Sequence, residues 1–204
     1  MGGSAGAMGT EANCDFFAES LHAMNPDIDV RCISDSGSLY PYHTHTPFCS
    51  PHLLEYAAFK VWDAVSDASC MAAHPDGLHC ISASTAYPYV ETPSMLLMSS
   101  EDTVIRICYD NSPEFWDKWR AELAALARNM TAEMPNDGIY IANCPFHESV
   151  FYDASYESME VPLLDGGEGE VGVLKQLIAN FVTDKHPYQA IDDMDSKNPL
   201  CTNK

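Results

Sequence analysis

The sequence predicts an α/β protein with a mostly parallel sheet flanked by helices, in a single domain spanning residues 1–204. Two observations lead there. Short apolar runs of strand length alternate with longer stretches whose apolar residues recur every three or four positions, as in a sheet whose strands are joined by covering helices. A chain of 204 residues, 46% of them apolar, is also long enough for one sizeable core and too short for two ordinary domains.

The elements follow in order. After Gly2-Gly3-Ser4-Ala5-Gly6, the stretch from Ala7 to Met24 reads as a helix stopped at Asn25-Pro26. Asp29 to Ser34 is a short strand candidate running into Asp35-Ser36-Gly37. Leu53 to Val65, after a Pro-rich loop, places Leu54, Ala57, Ala58, Val61 and Trp62 on one helical face. Met71 to Tyr89 reads as a cysteine-bearing loop. Ser94 to Met98 is a continuous apolar run, as a strand buried on both faces requires. Pro113 to Met130 is the strongest helix, with Trp116, Trp119, Leu123, Leu126, Ala127 and Met130 at helical spacing and a proline in the first turn. Gly138 to Ala142 is another apolar strand, and Val171 to Val182 reads as the last helix. Three parallel strands are recognisable. Asp192-Asp193-Met194-Asp195 lacks the spacing of a calcium loop and reads as a solvated acidic tail.

Composition narrows the function. Ten Lys and Arg against thirty Asp and Glu give a net charge of −20, which argues against a nucleic-acid partner, because a polyphosphate requires a basic face. No run approaches the roughly 20 apolar residues needed to span a bilayer. The start from Met1 to Thr10 lacks the basic and apolar regions of a signal peptide. Eight cysteines, none in a CxxC pair, suit a disulfide framework and an oxidising compartment more than structural zinc. Cys70 and Cys80 flank a polar loop and are the expected bonded pair; Asn129-Met130-Thr131 is an N-glycosylation sequon. His43, His45 and His52 could group around a metal, but the histidines of a polar loop more often face solvent, and no metal or other cofactor is expected. Oligomeric state is not legible.

The chemistry concentrates at three places. Gly2-Gly3-Ser4-Ala5-Gly6 matches G-x-S-x-G, the tight strand-to-helix turn that lifts a serine hydroxyl above a sheet. There the glycines are expected to relieve clashes on both sides of the serine, and the Ala5 N–H to donate to an oxyanion. Asp102 lies just past the strand ending near Met98, and His147 just past the strand ending near Ala142. Loops at the C-terminal ends of parallel strands gather catalytic groups in such folds, and Ser, Asp, His is the chain order of the α/β-hydrolases. Glu101 could serve in place of Asp102.

On these residues the chain resembles the pectin acetylesterase/Notum family. Gly-Gly-Ser-Ala-Gly-Ala-Met-Gly around Ser4 is similar to its G-x-S-A-G-G elbow, and Asp35-Ser36-Gly37 to its Asp-Ser-Gly. Cys49-Ser50-Pro51, Trp62, Cys70 and Cys80 resemble its cysteine-rich middle. Tyr87-Pro88 through Pro93 resembles the segment before its acid, and Cys144-Pro145-Phe146-His147-Glu148 its Cys-x-x-His-Glu. The resemblance implies the C-terminal portion of an α/β-hydrolase and a serine carboxylesterase with Ser4, Asp102 and His147 as triad. Its substrate would be an acylated carbohydrate or another ester, its location secreted or cell-wall. The alternative is a non-catalytic acidic extracellular module or an inactive fragment of such a hydrolase.

The chain departs from the family at Ile105, where a Gln is common, and near Thr92, where a cysteine is common. Family members also carry a long segment before the elbow, whereas here Ser4 is the fourth residue. The expectation is therefore an N-terminally truncated domain lacking the strand that feeds the elbow. Its N-terminus would be displaced while Asp102 and His147 stay close together.

Overall fold

The computed structural model describes residues 1–37, 61, 65–74, 80, 83–108, 112–134, 136–148, 156–163, 170–183 and 187–192. In chain order its elements are β1 (Gly2–Gly3), α1 (Ala5–Met24), β2 (Cys32–Asp35), α2 (Ala68–Ala73), α3 (Ala83–Ala86), β3 (Ser94–Ser99) and α4 (Thr103–Cys108). They continue with α5 (Pro113–Glu133), β4 (Gly138–Ala142), β5 (Glu160–Pro162), β6 (Val171–Val173), α6 (Leu174–Thr183) and β7 (Gln189–Ile191).

Strands buried at every position need cover on both faces, and β3 and β4 are such strands. They pair in parallel, Leu96 beside Ile139 and Leu97 beside Tyr140, in the middle of a five-stranded sheet of order β1-β2-β3-β4-β7. Every pairing in it is parallel. Because side chains alternate along a strand, the sheet has two distinct faces. Ile33, Met95, Leu97, Tyr140 and Ala142 pack against Leu174, Leu177 and Phe181 of α6. Leu96, Met98, Ile139, Ile141 and Ile191 pack against Trp116, Trp119, Leu123 and Met130 of α5. Helix α1 lies on the α5 side, where the Ser34 hydroxyl donates to Glu11 Oε1 at 2.6 Å and Cys14 is bonded to Cys32.

Local chemistry sets the helix ends. The Ser112 hydroxyl accepts from the Phe115 N–H at 3.2 Å, and Pro113 follows in the first position of α5. Asp67 caps α2 by accepting from the Cys70 N–H at 2.8 Å. Cys70 and Cys80, the expected pair, are bonded. No helix among the described residues is long and apolar enough to cross a membrane.

The fold is the α/β arrangement expected, with corrections. Among the described residues the sheet has five parallel strands rather than three. Gly2–Gly3 does form an elbow strand, in register with Ser34 and Asp35, so the N-terminus is not displaced. Val171–Val173 is a strand, antiparallel to β5, and the helix begins only at Leu174. The strand expected from Asp29 starts at Cys32. Within the expected loop from Met71 to Tyr89 lie the end of α2, α3 and a short 3-10 turn over Tyr87–Tyr89. Asp192 is buried and accepts from the Asn143 N–H at 3.1 Å, so it belongs to the fold rather than to a solvated tail. Most of the helix expected over Leu53–Val65, with Trp62, lies outside the described residues, as do Asp193 and Asp195.

Candidate active site

Parallel strands deliver their following loops to one end of a sheet, and the three residues expected to form a triad sit there. Ser4 follows β1, Asp35 ends β2 with Ser36 and Gly37 just beyond it, Asp102 follows β3 and His147 follows β4. The opposite end carries a cleft of about 420 Å³ lined by Asp15, His22, Asp29, Asp67 and Glu91. Two of its carboxylates already have fold work: Asp15 accepts from the N–H groups of Glu91 and Thr92, and Asp67 caps α2.

Ser4 is held in a conformation that a non-glycine residue seldom adopts, φ 53° and ψ −123°. Such backbone costs of order 1–3 kcal/mol and persists only where its surroundings enforce it. Here the Ser4 N–H donates to the Asp35 carbonyl at 2.8 Å, while the Ser4 carbonyl accepts from the Ala7 N–H at 2.9 Å. Ser4 occupies the N-cap of α1, yet its hydroxyl makes no cap hydrogen bond. The steric part of the motif is uneven. A Cβ on Gly2 would stand 2.1 Å from the Gly6 carbonyl oxygen and 2.4 Å from Thr10 Oγ1. A Cβ on Gly6 itself would meet nothing within 4 Å. The expectation of clashes on both sides of the serine therefore holds for Gly2 and not for Gly6.

The Ser4 hydroxyl lies 2.8 Å from His147 Nε2, and His147 Nδ1 lies 2.8 Å from Asp102 Oδ2. An ionised carboxylate only accepts, so with Asp102 ionised Nδ1 carries the proton and Nε2 is left to accept from Ser4. Asp102 is fully buried, and its Oδ1 accepts from the N–H groups of Val104, at 2.7 Å, and Ile105, at 3.3 Å. Burial pushes its carboxyl above the ordinary range; the hydrogen bond and charge of His147 and the two N–H donors pull it back. Glu101, the other candidate acid, is elsewhere: its carboxylate meets Arg120 at 3.3 Å. Ala5 is the first residue of α1, where an N–H has no intrahelical acceptor and the helix end is electropositive.

The histidine loop is tied from several sides. The Ser100 N–H donates to the Ala142 carbonyl at 2.9 Å, the Ser99 hydroxyl donates to the Cys144 carbonyl, and Asp192 holds the Asn143 N–H. Cys144 is itself disulfide-bonded. Past the histidine, the Glu148 N–H donates to Ser36 Oγ at 2.8 Å. Sequence reasoning noted Asp35-Ser36-Gly37 only as a motif. Its place at the end of a strand was the available signal, but neither its hydrogen bonds nor the left-handed backbone of Ser36 (φ 60°) and Glu148 (φ 64°) can be read from residue types.

Among the described residues no group of three or more His, Cys, Asp or Glu is arranged to hold a metal ion. His43, His45 and His52 lie outside the described residues. No curated protein matches the chain at a significant level. The pectinacetylesterase family model matches residues 1–202, essentially the whole chain. The chain therefore belongs to the pectinacetylesterase family.

Proposed function

We propose that the chain is a serine carboxylesterase that removes O-acyl groups, O-acetyl foremost, from carbohydrate. Family membership implies a carboxylic ester hydrolase. The observation that carries the finer reading is the unbroken hydrogen-bonded line from Ser4 through His147 to Asp102, with two spacings of 2.8 Å.

In this reading Ser4 Oγ attacks the acyl carbon while its proton passes to His147 Nε2. Asp102 keeps the imidazole oriented and stabilises its charged form. The oxygen that becomes negative lies toward the Ala5 N–H at the head of α1. The tetrahedral intermediate collapses as His147 returns the proton to the sugar oxygen, which leaves as a free hydroxyl. Water, deprotonated by the same nitrogen, then attacks the acyl-serine, releasing the carboxylic acid and restoring Ser4. These steps need no cofactor. The disulfides of Cys14–Cys32 and Cys70–Cys80 fit an extracellular or cell-wall setting.

The test is acetate release from acetylated pectin, and hydrolysis of 4-nitrophenyl acetate, by the wild type and the Ser4→Ala and His147→Ala variants. Each should lose activity by roughly 10⁴-fold or more. A fluorophosphonate should label Ser4 and nothing in Ser4→Ala. Labelling of a different serine, or turnover that survives both substitutions, sinks the assignment.

A further inference from the structure

The position of a side chain is set by the backbone on both sides of it, and His147 is held on its two sides by unlike means. Before it, the Cys144 and Asn143 backbone groups are tied to β3 and to Asp192. After it stands Glu148, in left-handed backbone at φ 64°, its N–H donating to Ser36 Oγ at 2.8 Å. That bond spans 112 positions of sequence. Ser36 is itself fully buried and fixed: its N–H donates to the Leu97 carbonyl at 2.9 Å, and its hydroxyl donates to Asp35 Oδ1 at 3.1 Å. The hydroxyl proton being directed to Asp35, a lone pair is left facing Glu148.

The geometry points to Ser36 as a positioning residue for His147, which it reaches through the Glu148 backbone. The inference rests on the esterase reading above and deepens it. Two residues in left-handed backbone face each other across this hydrogen bond, neither of them a glycine or asparagine that would settle there unaided. The bond anchors the backbone unit that directly follows His147. Next to it, Gly37 lets the same turn close on Ser4: a Cβ there would stand 2.6 Å from the Ser4 carbonyl oxygen and 2.5 Å from Ala7 Cβ. One turn at the end of β2 thus touches the serine side of the site through Gly37 and the histidine side through Ser36.

Ser36→Gly separates the hydroxyl from the backbone, because glycine occupies φ 60° without steric cost. With the full chain and 4-nitrophenyl acetate, kcat should fall roughly 10- to 100-fold while KM changes less than about twofold, as expected for a misplaced but intact catalytic group. A proton NMR resonance from the His147 Nδ1–H facing Asp102 should broaden or vanish in the variant, although the chain still melts cooperatively. Should Ser36→Gly fail to fold, Ser36→Ala, which removes only Oγ, is read in the same way. A merely structural Ser36 would lower the melting temperature and leave kcat and the resonance as they are; that result overturns the inference while Ser4→Ala and His147→Ala remain inactive. Turnover independent of Ser4 and His147 would instead strike the esterase reading itself.

Discussion

Replacing Gly2 and Gly6 by alanine, one at a time, separates the two glycines of the elbow by what surrounds them. On Gly2 the new methyl carbon would lie 2.1 Å from the Gly6 carbonyl oxygen and 2.4 Å from the Gly6 carbonyl carbon, both backbone atoms. Ordinary contact begins near 3.4 Å, so β1 and the first turn of α1 must part by about 1.3 Å, a distance no rotamer change can supply. Overpacking of this kind destabilises by about 1–3 kcal/mol. A nucleophile moved by about 1 Å forfeits on the order of 100-fold in rate. Gly6 is the contrary case: it lies inside α1 with open space where its methyl would go. Alanine there removes up to about 1 kcal/mol of helix-propensity cost, which for a chain of this size raises the melting temperature by roughly 2–4 °C. The assay is kcat for 4-nitrophenyl acetate beside a thermal melt of each variant. Gly2→Ala should be nearly inactive; Gly6→Ala should retain kcat and melt at a higher temperature. Activity retained in Gly2→Ala, or lost in Gly6→Ala, would refute the steric account of the elbow.

Three further outcomes follow from the same geometry. Asp102→Asn should lower kcat by about 10⁴-fold through the wrong imidazole tautomer, whereas Glu101→Gln should stay within a few-fold, since Glu101 faces Arg120; equal losses would refute the assignment of the acid. Changing Cys70 and Cys80 together to serine should lower the melting temperature by roughly 5–10 °C, the effect of releasing a short loop worth roughly 2–3 kcal/mol, and an unchanged melt would contradict it. Burial lifts the Asp137 carboxyl above its ordinary value, against hydrogen bonds from Tyr87 and the Ser94 N–H. The folded chain therefore holds that proton more tightly than the unfolded one, a contribution present below about pH 3.9 and lost as pH rises through the folded value. The stability of Asp137→Asn relative to wild type should accordingly improve as pH rises across that window, and a gap moving the other way in melts at several pH values would show the sign to be wrong.

How much of this could be read from residue types depended on how each element is stabilised. β3, β4 and α5 were plain because burial itself writes their pattern: Ser94–Ser99 and Gly138–Ala142 are covered on both faces, and Trp116, Trp119 and Leu123 recur on one. β1 has no such signal, since Gly2 and Gly3 have no side chains to pattern and pair only through their backbones. Val171, Gly172 and Val173 ran in phase with the helix behind them, so β6 was absorbed into it; its pairing with Glu160–Pro162 is a tertiary fact. Asp192 begins an acidic run whose members look alike by residue type, and the Asn143 N–H it accepts from ties it to the fold. At the candidate site, residue order and strand ends pointed to Ser4, Asp102 and His147, of which His147 lies within hydrogen-bond distance of both the others. The ties from Ser36 to Glu148 and from Ser99 to Cys144 join positions far apart in sequence, and local pattern carries no trace of them.

The bond from Ser4 to His147 joins residues 143 positions apart. The entropic cost of closing such a span grows only slowly with length, but closure must wait for the strands between to find one another. A fluorophosphonate that reacts only with a completed site would therefore act as a clock for the last step of refolding. Trp119, buried among β3, β4 and α5, lies in the part whose contacts are nearer in sequence, so its fluorescence should recover first. The interval between the two signals would time the docking of β1 and the head of α1 onto an already formed sheet. Proteolytic clipping between those parts should abolish labelling while leaving the tryptophan signal in place.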